Sequence, residues 1–254
     1  MRQDRNVTYT MPVAPAVLLP GTGSDEIFVR SVFTAPLAAV GLRLSAPRPP
    51  AGAHLAEGSL AALDAAADEA GEPILVGGIS FGAHLATEWA IRNPARCAGV
   101  LAALPAWSGP PAGAPASLAA GLTADLVRRE GIDRALALST EGVAPWLAAE
   151  LDRAWRRHGA GLAAGLLAAA GRPAATVATL RSLQVPVGIA ACVDDPVHPV
   201  AVARTWAAAL PRAAACETSL TALGADRESL GRAATLAWLR ARSRAGTGRG
   251  QGEP

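Results

Sequence analysis

Lysine is absent from the chain: all 23 of its basic residues are arginine, which removes lysine Schiff-base and serine–lysine chemistry. Histidine is nearly as scarce. Only His54, His84, His158 and His198 occur, and none follows position 198. No apolar run reaches the about eighteen residues that a membrane span needs, so a membrane partner is not expected. The three cysteines, Cys97, Cys192 and Cys216, lack metal-ligand spacing and lie in or beside apolar runs. That is the pattern of reduced, buried thiols in a cytoplasmic protein, with no metal and no cofactor; a Cys192–Cys216 bridge between neighbouring strands is the alternative. Charge of one sign is also lacking. The formal net charge is +2, and Arg128-Arg129 and Arg156-Arg157 are isolated pairs on helical patterns, which excludes a nucleic-acid footprint. Met1 to Asn6 is charged and no apolar stretch follows before Pro12, so no secretory signal is expected.

What is present is alanine and aliphatic residue. The chain has 254 residues, 51% of them hydrophobic and 4% aromatic, enough for one α/β domain with a deep core. Strand-like runs alternate with helical ones: Ala16 to Leu19, then Ile27 to Val40; Leu42 to Leu44, then Leu55 to Ala70; Ile74 to Val76, then Phe81 to Asn93; and Gly99 to Leu104. This alternation predicts a mostly parallel sheet with helices on both faces. From Pro105 to Arg181 strand signals cease, and alanine-rich helical segments are punctuated by Gly121, Gly131, Gly142, Gly159 and Gly171. A helical cap insertion over about 105–182 is the natural reading. The rhythm resumes with Val185 to Val193, Val200 to Leu210, Ala213 to Leu220 and a final helix from Arg227 to Arg242. One domain over 1–244 is expected, with a glycine-rich, disordered tail at 245–254.

Gly78-Ile79-Ser80-Phe81-Gly82 stands between a strand pattern and a helix pattern, the context of a nucleophile elbow. There a serine sits on a strained turn with small neighbours, so that its hydroxyl is lifted clear. Serine needs a positioned base and donors for a developing oxyanion. The Phe81 N–H at the helix start and the Thr22 N–H in Pro20-Gly21-Thr22-Gly23 are the candidate donors; a plain tight turn is the other reading of that loop.

The elbow, the strand order and the insertion together resemble the α/β-hydrolase superfamily over roughly residues 14 to 242. Leu18-Leu19-Pro20-Gly21-Thr22-Gly23 occupies the place of the family's oxyanion loop, with proline where histidine usually stands. Val193-Asp194-Asp195-Pro196-Val197-His198-Pro199 looks like the acid loop, which puts the acid on Asp195. The family's base would follow the last strand, but this chain reads Leu223-Gly224-Ala225-Asp226-Arg227-Glu228 there. The resemblance implies a cofactorless serine hydrolase of carboxylesterase or thioesterase type, acting on a small or medium apolar ester through a Ser80 acyl-enzyme under a lid. The vacant seat of the base leaves a ligand-binding pseudoenzyme as the alternative.

His198 is the histidine whose loop should face Ser80, because ligand sites in such sheets lie beyond the carboxyl ends of the strands. It is the candidate base; closing its own loop is its other role. Asp194 reads as a turn residue, Asp226 as the cap of the last helix, and His84, one turn past Ser80, as packing. His54 and His158 read as solvent-facing. Trp107, Trp146 and Trp155 are open to two readings, core or walls of an apolar cavity.

Overall fold

The computed structural model describes residues 15–244, and the segment expected to be a disordered tail lies outside them. Six strands form one sheet of order β2-β1-β3-β4-β5-β6: β1 Pro15–Leu19, β2 Arg43–Ser45, β3 Ile74–Ile79, β4 Cys97–Ala103, β5 Val187–Cys192 and β6 Ala213–Thr218. Every pairing is parallel. Parallel strands are covered on both faces and therefore read as unbroken apolar runs, as β3 and β5 do, each buried at every position.

Side chains of successive residues leave a strand on opposite faces, and the core divides accordingly. Val17 and Leu19 of β1 join a layer with Leu63, Phe81, Trp89 and Trp206, on helices α2 (Leu55–Ala70), α3 (Phe81–Arg92) and α8 (Val200–Ala209). Ala16 and Leu18 join the opposite layer with Val29, Phe33, Leu230 and Trp238, on α1 (Glu26–Ala38) and α10 (Glu228–Arg244). Between β1 and β3 the chain changes its direction of travel across the sheet. At such a switch point the loops at the carboxyl ends diverge and leave a crevice.

The insertion leaves the sheet after β4 and returns at β5. It comprises α4 (Pro115–Ser139), α5 (Pro145–His158), α6 (Leu162–Ala170) and the short α7 (Val177–Leu180). The insertion thus separates the fourth and fifth strands of the described residues. Gly121 does not break α4, whereas Gly131, at φ 79° and ψ 169°, interrupts it. Leu136, Ala154, Trp155, Leu162 and Leu166 form a separate small core within the insertion. The strand expected to reach Leu220 ends at Thr218; Ser219 caps a further short helix, α9 (Leu220–Ala225), which begins at Leu220. No described helix is long and apolar enough to cross a membrane.

Candidate active site

Ser80 occupies the one-residue turn between β3 and α3, with φ 54° and ψ −117°, a conformation that side-chain-bearing residues rarely adopt. The strain is held in place by close packing. A methyl group on Gly78 would stand 2.5 Å from the Leu19 carbonyl oxygen, and one on Gly82 would stand 2.6 Å from that of Pro20. Only glycine at both positions lets β1 press against the turn. The turn is tied to the sheet by the Ser80 N–H, which donates to the Ala103 carbonyl at 2.8 Å.

The loop after β5 reaches the same spot from two strands away. Asp195 accepts through Oδ1 from the N–H groups of Val197 (2.8 Å) and His198 (3.0 Å), closing a turn that fixes the direction of the His198 side chain. The His198 Nδ1 lies 2.8 Å from Asp195 Oδ2, and its Nε2 lies 2.8 Å from Ser80 Oγ. The carboxylate partner makes Nδ1 the protonated nitrogen and leaves Nε2 to accept from the serine hydroxyl. Burial pushes the Asp195 carboxyl up, but the hydrogen bond and charge of His198 and the two N–H groups outweigh it, holding Asp195 below the usual carboxylate range.

Thr22 lies in the loop after β1 and Phe81 at the first position of α3, and neither main-chain N–H donates a hydrogen bond within the described residues. Both residues stand at the carboxyl ends of the adjacent strands β1 and β3. The three side chains and two donors singled out in the sequence thus belong to one end of the sheet.

A cavity of about 500 Å³ opens over Ser80 and His198, between the sheet and the insertion. Trp107, Trp146 and Trp155 all line it, together with Leu104 and alanines of α4 and α6. Leu104 has φ 53°, a second strained residue at this crest. Of the remaining candidates, Asp194 accepts from the Leu220 N–H at 2.6 Å and so joins the β5 loop to the start of α9. Asp226 accepts from the Glu228 N–H at 2.9 Å and pairs with Arg232, a cap on α10. His54 is exposed. His158 differs from its expected solvent-facing role, with Nε2 2.8 Å from the Ser24 carbonyl oxygen.

His84 is buried at 4% exposure, stacked near Trp206 and edge-on to Trp107, and its Nε2 accepts from the Ala106 N–H at 3.0 Å. Burial, reinforced by the charge of His198, drives its pKa down to about 3, so it stays neutral. Cys192 and Cys216 stand on the adjacent strands β5 and β6, two residues out of register, and all three cysteines are unpaired thiols.

Sequence reasoning missed Asp25. Its side chain is 1% exposed, caps α1 through the Ile27 and Phe28 N–H groups, and receives Arg153 of α5 through both Nε (3.0 Å) and Nη2 (2.8 Å). Arg157 approaches it at 3.4 Å. This clamp joins the insertion to the loop that carries Thr22. The capping signature Ser24-Asp25-Glu26 was readable, but a partner 128 residues away was not.

No protein-family model and no curated protein sequence matches the chain. Solved structures do resemble it. An esterase from Rhodococcus sp. is 17% identical, aligned over 93% of this chain and 90% of its own, with a TM-score of 0.62. A carboxylesterase structure from the thaumarchaeon Nitrososphaera gargenis is 14% identical over 79% of each chain, with a TM-score of 0.65. The enol-lactonase from Burkholderia xenovorans is 18% identical over 78% of this chain and 80% of its own, with a TM-score of 0.59.

Proposed function

We propose that this chain, which has the α/β-hydrolase fold, is a serine-dependent ester hydrolase in which His198 is the base and Asp195 the acid. One observation carries the reading: the unbroken chain Ser80 Oγ, His198 Nε2, His198 Nδ1, Asp195 Oδ2, with 2.8 Å at both links. A general base must lie within hydrogen-bond reach of the proton it takes, and here it does.

In this mechanism Ser80 Oγ attacks the ester carbonyl while its proton passes to His198 Nε2. The resulting imidazolium is stabilised by the buried Asp195 carboxylate, which keeps its own negative charge. The carbonyl oxygen, now negative, is held by the N–H groups of Phe81 and Thr22, which have no partner to give up among the described residues. The tetrahedral intermediate expels the alcohol, which takes the proton from His198, and leaves an acyl-Ser80 ester. Water then repeats the sequence, with His198 as base, and releases the acid.

The insertion acts as a lid. Its apolar wall suits a small or medium apolar ester, and a thioester would react in the same way. The vacant seat after β6 is what motivates the pseudoenzyme alternative, and the contact of His198 with Ser80 favours the hydrolase reading over it. Three unpaired thiols fit a reducing compartment such as the cytoplasm. Hydrolysis of p-nitrophenyl butyrate tests the reading: the wild-type protein should turn over, and Ser80→Ala should lose about 10⁴-fold or more in kcat. Equal turnover by Ser80→Ala would remove Ser80 from the chemistry.

A further inference from the structure

The cavity over Ser80 has an unusual charge inventory for a protein so rich in arginine. Among its described lining residues there is no arginine at all, and the charged groups are the carboxylates of Asp195 and Glu150. Asp195 is occupied by His198. Glu150 has no part in the proposed hydrolysis, and α5 places it one turn after Trp146 and one turn before Trp155's neighbour Ala154, on the face that lines the cavity.

Glu150 stands at the edge of an ion-pair cluster. Its Oε2 pairs with Arg153, and its Oε1 accepts no hydrogen bond from the described residues. The same Nη2 of Arg153 also serves Asp25 Oδ1 at 2.8 Å, and Arg157 divides itself between Asp25 and Glu26. Among the ion pairs of the described residues, the three carboxylates Asp25, Glu26 and Glu150 thus share two guanidinium groups, and Glu150 is the member of the cluster that lines the cavity. Around it stand indole rings, whose faces attract cations. Trp146 already holds one, with the Arg227 guanidinium carbon 4.2 Å from its ring centroid.

An anionic group entering this cavity would lose its water without gaining a counter-ion, which is costly in a site of low dielectric. A large, weakly hydrated organic cation would keep apolar contact with the alanine and leucine wall while meeting a carboxylate. We propose that Glu150 sets the charge preference of the cavity, and that the substrate is an apolar ester bearing an ammonium group away from the scissile bond. This rests on the ester-hydrolase reading of Ser80, and narrows its substrate class.

The test compares isosteres: 2-(trimethylammonio)ethyl, 3,3-dimethylbutyl and carboxylate-tailed esters of one short acid. The wild-type kcat/KM should favour the ammonium ester over its tert-butyl isostere by about tenfold, with the carboxylate ester last. Glu150→Gln should bring the two isosteres within about twofold. A wild-type protein that favours the uncharged isostere, or a preference that survives in Glu150→Gln, overturns the proposal. Binding separates this proposal from the hydrolase reading. Tetraethylammonium should quench tryptophan fluorescence of Ser80→Ala with an affinity about tenfold above that of Ser80→Ala/Glu150→Gln, whether or not any ester is cleaved. Equal affinities would overturn the charge preference and leave the Ser80 mechanism standing.

Discussion

The loops after β5 and after β6 leave neighbouring parallel strands and line the same cavity, yet among the described residues only the first brings a histidine into contact with Ser80. In the β5 loop, Asp195 and His198 are three residues apart and held by a turn whose hydrogen bonds end on the acid itself. The β6 loop contributes Leu220 and Leu223, apolar wall, and then Asp226, an exposed helix cap. On the proposed mechanism, the difference teaches that the base need only satisfy a distance to the serine. Its place in the chain is free, provided that some turn can aim the imidazole.

The largest effect should come from breaking that contrast at its centre. Asp195→Asn leaves an acceptor for the turn but removes the charge that stabilises the imidazolium, and kcat for ester hydrolysis should fall by about 10⁴. Its melting midpoint should move far less than its turnover. A fall of under tenfold would mean that the carboxylate serves only the turn.

A second histidine sharpens the contrast through pH. His84, neutral inside the protein with a pKa of about 3, would ionise near 6.5 in the unfolded chain. Between those values the unfolded state binds the extra proton, so stability is full above pH 6.5 and falls as the pH drops toward 3. The contribution of this residue is about 1.4 kcal/mol per pH unit in that window. Denaturant titrations of His84→Gln should show a shallower acid slope by about that amount; an unchanged slope would deny that His84 is buried neutral.

Smaller still are the two aspartates that flank the working loop. Asp194→Ala removes the tie between the β5 loop and α9, which should cost about 0.5–1 kcal/mol of stability with little change in KM or kcat. Asp226→Ala, at the vacant seat, should leave turnover unchanged and lower the melting midpoint least of all. Loss of activity in either variant would show that the β6 side contributes to the chemistry after all.

Much of this arrangement was legible in the sequence because it is local. The strand-turn-helix context of Ser80, the apolar runs of the buried strands and the Asp-Pro-x-His-Pro loop are each written within a dozen residues. Helix boundaries were less so: Gly121 lies inside α4, since a lone glycine costs a helix interior only about 1 kcal/mol, whereas Gly131 takes a backbone conformation that breaks the helix. Least legible were features that depend on residues far apart. Nothing near His198 states its distance to Ser80, since the pairing is made by the stagger of β3, β4 and β5. The Asp25–Arg153 clamp and the contact of His158 with the Ser24 carbonyl depend likewise on how the insertion lies over the β1 loop.

The central claim is that His198 activates Ser80. Intact-protein mass spectrometry of the reaction with a fluorophosphonate measures this without reference to any substrate. Rapid stoichiometric labelling at Ser80 in the wild-type protein, slowed by at least about 10³-fold in folded His198→Ala, is the expected result. Labelling at the same rate in both proteins would contradict it.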